Sequence, residues 1–115
     1  MVSDLKDLAV DFAVDRDSVK DARAPVTHDV KSWPHLFEAT LRGTKTHEMR
    51  KIQDRDYRIG DMLNLMEFDP LTGKYSGRNL LVLVTYITSS EYPCALSEAS
   101  LHPDYCILSI KRLHE

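Results

Sequence analysis

Within the eight residues from Gly43 to Arg50 the chain carries a lysine, a glutamate and an arginine at a spacing suited to holding a polar ligand. Lys45 lies just beyond a glycine turn, at the mouth of a helix-to-strand connection. Glu48 and Arg50 are two apart, so on a strand they point to the same face. A carboxylate beside a guanidinium can hold a nucleobase: the carboxylate accepts from an exocyclic amine, and the arginine donates to a carbonyl or a phosphate. Lys45 adds a point charge for phosphate. Trp33 and Tyr57 are candidate stacking surfaces, a contact of about 1–3 kcal/mol per base. Arg55 and Lys51 can follow a nucleic-acid backbone, and Glu67, at a strand end, can complete the cleft as an acceptor. Plainer readings stand beside these. Glu48 with Arg50 can be a surface ion pair of about 0–1 kcal/mol, Trp33 and Tyr57 packed rings, and Glu67 a solvated carboxylate.

Other chemistries lack their residues. Five histidines, at 28, 35, 47, 102 and 114, and two cysteines show no C-x-x-C or H-x-x-x-H spacing, so neither metal nor cofactor is expected. The four glycines are scattered and form no phosphate-cradling loop, and no Gly-x-Ser-x-Gly elbow occurs.

The elements that must position the triad can be read from periodicity and punctuation. Leu5, Leu8, Ala9, Phe12 and Ala13 recur at helical spacing over residues 4–22, with Ser3 as a cap and Pro25 beyond the end. Residues 26–31 form a short strand. A second helix runs from Pro34, suited to the first helical position, toward Gly43, suited to the left-handed residue past the end. Its inward stripe is Phe37 with Leu41 and Leu36 with Thr40. Residues 47–52 form a strand with Glu48, Arg50 and Ile52 on one face. Gly60-Asp61 marks a turn, Met62 to Phe68 a strand, and Asp69 to Gly73 a hairpin loop. Gly77 breaks or bulges the return. Leu80 to Ile87 is a central strand, Ser89 to Asp104 a polar loop with a short helical turn, and Cys106 to Leu113 the last strand. Short hairpin-linked strands with an early helix predict a small mixed or closed sheet.

A chain of 115 residues holds one core, here residues 26–115, with residues 1–25 as a helical extension. The net charge of −3 argues against strong nonspecific binding to a phosphate backbone. The middle is nonetheless basic: Arg42, Lys45, Arg50, Lys51, Arg55 and Arg58 face only Glu48, Asp54 and Asp56. Cys94 and Cys106 are expected as reduced, half-buried thiols. No secretory leader and no apolar run of membrane length is seen, which favours a cytoplasmic protein with no membrane partner.

Gly43-Thr44-Lys45-Thr46-His47-Glu48-Met49-Arg50 resembles the signature of ASCH domains: glycine, any, lysine, two any, glutamate, any, arginine. His28 to Lys31, Trp33-Pro34, Phe37, Asp54 to Tyr57, Gly60-Asp61, Leu63, Leu65, Glu67-Phe68 and Tyr75 to Arg78 resemble the DUF3850 subgroup, which phages and bacteria often encode. The resemblance spans roughly residues 26–112. It implies an α+β fold, a PUA-like, mostly antiparallel β-barrel with one or two flanking helices and the motif lining a cleft. It implies RNA or a nucleotide-like ligand as partner, held by Lys45, Glu48, Arg50, Arg55, Tyr57, Trp33 and Glu67. A relative in the wider superfamily is similar to an amidohydrolase that deacetylates N4-acetylcytidine. On that alternative Lys45 is the base, Thr46 the nucleophile and Glu48 or Glu67 a proton shuttle, although Glu48 stands where those enzymes carry threonine. A further alternative is a phage-type inhibitor that contacts a host protein through its N-terminal helix.

Overall fold

The structure is a computed structural model that describes residues 23–113; the helix expected over residues 4–22 lies outside them. The described order is β1 (Thr27–Ser32), α1 (Pro34–Leu41), β2 (His47–Lys51), β3 (Met62–Asp69), β4 (Lys74–Ser89) and β5 (Tyr105–Arg112). The strands make one five-stranded sheet in the order β1-β3-β4-β5-β2. The β1–β3 pair is parallel and the other three are antiparallel.

Alternating apolar residues set the inner face. Val30, Leu63, Leu65, Val82, Val84, Cys106, Leu108 and Ile110 are buried along four strands, and Phe37 of α1 joins them. A bulge keeps that face continuous along β4. Val84 pairs with Ile110 but Tyr86 with Ser109, so Thr85 is extra. One inserted residue reverses which side chains face inward. Inward positions accordingly change from 82 and 84 to 87 and 89.

The sheet curls into a half-barrel, and β1 and β2 are its two edges. Of the mixed or closed sheet expected, the structure has the mixed one, barrel-like in its curl, and among the described residues no ladder joins its two edges. Side chains span this seam instead: Arg50 donates to the Lys31 carbonyl at 3.3 Å and Arg55 to the Asp29 carbonyl at 3.0 Å. Guanidinium groups thus occupy edge carbonyls that an open sheet would leave to pair with another chain.

Local punctuation matches the sequence closely. Pro34 opens α1, and Gly43 follows its end at φ +83°. That left-handed turn brings the backbone N–H groups of Thr44 and Lys45 back to the Ala39 carbonyl at 3.0 and 3.1 Å. Gly77 bulges β4 rather than breaking it. At φ +94° it lies in a stretch, Ser76 to Arg78, that opposes Glu67 alone. β4 therefore begins at Lys74 rather than Leu80, and the 90–104 loop holds turns but no helix.

Asp61, read from sequence only as a turn residue, is a buried hub with 1% of its surface exposed. Arg23 grips it bidentately at 2.9 and 2.9 Å, His28 Nε2 lies 2.8 Å away, and the Val26 and Arg58 backbone N–H groups donate at 3.1 and 3.0 Å. Burial pushes its carboxyl up, but these hydrogen bonds prevail and hold it well below the usual carboxylate range. Both cysteines are free thiols, Cys94 exposed and Cys106 buried. Among the described residues no helix is long and apolar enough to cross a membrane.

Candidate nucleotide cleft

The triad comes together at the open seam. Glu48 points inward from β2 and is 5% exposed. One of its carboxylate oxygens accepts from Lys45 Nζ at 2.9 Å, and the other lies 3.6 Å from Arg50. Lys45 also donates to the His47 carbonyl. It reaches both acceptors because the turn after α1 delivers its backbone to the start of β2. These contacts are more than a solvated surface pair, since both cations are largely covered and the carboxylate is almost fully so.

A cleft of about 410 Å³ opens beside this trio, between β1, the start of α1 and β2. Lys31, Ser32, Trp33 and Leu36 form one wall, and Lys45, His47, Glu48, Met49 and Arg50 the other. Trp33 is 40% exposed and Met49 56%, so the mouth is partly apolar. Lys31 extends over the Phe68 ring at 4.3 Å, and Phe68 in turn neighbours Trp33 at 6.2 Å between ring centroids.

The remaining expected residues lie elsewhere. Arg55 and Tyr57 line a second cavity of about 450 Å³, with Ile52, Arg58, Ile87 and Tyr92 among its other walls. Asp54 connects them to the trio. Its Oδ2 accepts from Tyr57 at 3.0 Å and from Arg50 at 3.3 Å, and its Oδ1 from Arg55 at 3.0 Å. Burial raises the Asp54 carboxyl, but the Tyr57 and Arg50 hydrogen bonds outweigh it and the net displacement is downward. Burial pushes the Tyr57 hydroxyl up to about 12. Tyr57 also packs on His28 at 5.0 Å, so its ring is structural as well as near the site.

Glu67 faces inward at the end of β3 but is engaged by the bulge opposite it. Ser76 donates to it at 2.6 Å and Arg78 at 2.9 and 3.2 Å, while Arg78 also reaches Glu38 at 2.9 Å. The Arg78 and Ser76 hydrogen bonds lower its carboxyl. It does not line the cleft, and neither does Thr46, which is exposed and whose carbonyl accepts from the Ile110 N–H at 3.0 Å. Among the described residues no group of three or more His, Cys, Asp or Glu is placed to hold a metal.

The sequence assigns no site role to Ser32 or Asp54. Asp54 lies four residues from Arg50, a spacing that only a turn after β2 makes into a contact. Ser32 carries no motif signal at all; its place at the end of β1, facing inward by alternation with His28 and Val30, was the available clue.

A model of the family described as Domain of unknown function (DUF3850) matches residues 27–110. The chain belongs to the DUF3850 family. The matched segment of this DUF3850 domain runs from the first residue of β1 into β5 and includes every residue that lines the cleft. No curated protein matches the chain.

Proposed function

We propose that this DUF3850 domain is a cytoplasmic, ASCH-type and PUA-like module that binds single-stranded RNA or a nucleotide in the cleft between β1 and β2. The observation that carries the reading is the convergence of Lys45, Glu48 and Arg50 in one concavity beside an exposed tryptophan. Glu48 orders the two cations, whose remaining N–H groups can meet a phosphate or a base carbonyl. Trp33 offers an aromatic face, and base stacking on such a face is tolerant of sequence. A cleft open at one seam suits an unstacked base better than a duplex, because RNA is read mainly where its bases are splayed from the helix. The overall negative charge restricts the attraction to this one basic neighbourhood.

Trp33 is the single tryptophan of the chain, so its fluorescence reports on the cleft. Titration with single-stranded RNA oligomers at several salt concentrations should perturb that emission, with affinity falling as salt rises. Lys45→Ala and Arg50→Ala should each weaken binding about tenfold or more. Absence of binding at low salt, or binding indifferent to both substitutions, overturns the reading.

A further inference from the structure

Ser32 is 4% exposed, and its hydroxyl is buried without a hydrogen-bond partner among the described residues. It is also one of the residues that line the cleft. A buried hydroxyl without a partner is unfavourable, and one that lines a cleft is placed to be satisfied by what the cleft holds. The charged groups around it are mutually engaged: Lys45 and Arg50 flank Glu48, and Arg50 also reaches Asp54 and the Lys31 carbonyl. The Ser32 hydroxyl is the lining group left with no partner at all among the described residues, and an occupant would satisfy it.

We propose that the cleft takes one unpaired nucleotide base-first, with the Ser32 hydroxyl on the polar edge of the base and the phosphate at the mouth. This rests on the nucleotide-binding reading above and assigns the orientation and the residue that reads the base. The polarity of the walls supports it. The two most buried lining residues are Ser32 and Glu48, and a carboxylate at that depth repels a phosphate. The exposed lining residues include the Lys31 cation and the Trp33 and Met49 side chains, which suit a phosphate and the rest of the nucleotide. A serine hydroxyl both donates and accepts, so it can pair with a ring nitrogen, an amine or a carbonyl on a base edge. The Watson–Crick edge is free only in an unpaired nucleotide, and only an unstacked base can enter a cleft edge-first, hence a single strand or a mononucleotide rather than a duplex.

The test compares AMP and CMP with ribose 5-phosphate, which keeps the sugar and phosphate but lacks the base. Affinities for wild type, Ser32→Ala, Lys45→Ala and Arg50→Ala are read by Trp33 fluorescence and calorimetry, and melting is followed without ligand. The expected result is that the nucleotides bind more tightly than ribose 5-phosphate, and that Ser32→Ala weakens them about tenfold. The ratio of nucleotide to ribose 5-phosphate affinity then falls toward one. The unligated Ser32→Ala protein should melt at the wild-type temperature or above, since a hydroxyl without a partner has been removed. Equal weakening of all probes would place Ser32 on the phosphate or sugar and overturn the orientation. Nucleotide binding that needs Lys45 and Arg50 but ignores Ser32 overturns this inference and leaves the general reading standing. A melting temperature lowered by about 4–8 °C identifies Ser32 as a structural group and also overturns it. If Ser32→Ala does not fold, that too marks a structural role. No binding of any nucleotide to the wild type removes both proposals together.

Discussion

Arg50 on β2 donates to the carbonyl oxygen of Lys31 on β1 at 3.3 Å, and this bond stands at the seam that a closed barrel would fill with a backbone ladder. The same guanidinium flanks Glu48 and donates to Asp54. Its position joins the stability of the seam to the charge of the cleft.

Arg50→Ala should therefore lower stability by about 1–3 kcal/mol, in the range for hydrogen bonds to charged groups. Arg50→Lys should recover only part of this, because an ammonium cannot reproduce the fork that reaches three acceptors. Urea denaturation checks it; the midpoint should fall with little change in slope.

Asp61 governs the opposite end of the half-barrel. It gathers Arg23, His28 and two backbone N–H groups in a nearly dry site. Asp61→Ala takes the shared acceptor from His28 and the two backbone N–H groups, while Arg23 keeps the Asp56 carbonyl at 2.7 Å, and should cost about 3 kcal/mol, the lower end of the range for breaking a buried charge pair. Against a total of about 5–15 kcal/mol for a domain, that is a large part of its stability. Thermal melts of the variant test this.

The same carboxylate sets an acid limit. Its value in the fold is depressed relative to about 3.9 in the unfolded chain. The stability it contributes is full above the unfolded value and drains as pH falls through about 4 toward the depressed one. Asp54 and Glu67 are also held down and act in the same direction. Asp61→Asn should flatten the loss of stability between about pH 5 and pH 2 without abolishing it, measured by denaturant titrations across that range. A limb as steep as in wild type would show that Asp61 does not set it.

Gly77 holds φ +94° in the bulge that presents Ser76 and Arg78 to Glu67. A Cβ there meets nothing within 4 Å, so the expense of a side chain is torsional rather than steric. Gly77→Ala should lose about 1–2 kcal/mol, and Gly77→Asn less. The proposed nucleotide binding should not change with it, because Glu67 does not line the cleft.

The two thiols should separate cleanly in reactivity. Burial pushes Cys106 up, which leaves little thiolate near neutrality, whereas Cys94 is exposed. Iodoacetamide on the native protein should give one adduct, at Cys94, by mass spectrometry, and two after unfolding. Rapid labelling of Cys106 in the native state would contradict the packing.

What the amino-acid order determined was local. Alternating apolar residues at 63 and 65, and at 106, 108 and 110, dictate strands with one buried face, because successive side chains on a strand alternate. Pro34 and Gly43 bound the helix through their own backbone torsions, and the two-residue step from Glu48 to Arg50 places both on one side of β2. What the tertiary structure decided was every relationship across distance. Arg50 meets a carbonyl 19 residues earlier, Glu67 is claimed by an arginine 11 residues later, and Asp61 by an arginine 38 residues earlier. None has a periodic signature, since it arises from strand order, register and curl rather than from neighbours in the chain. The open seam is the clearest case. β1 and β2 each read as ordinary strands, and only the order β1-β3-β4-β5-β2 makes them facing edges with a serine, a glutamate and three cations between them.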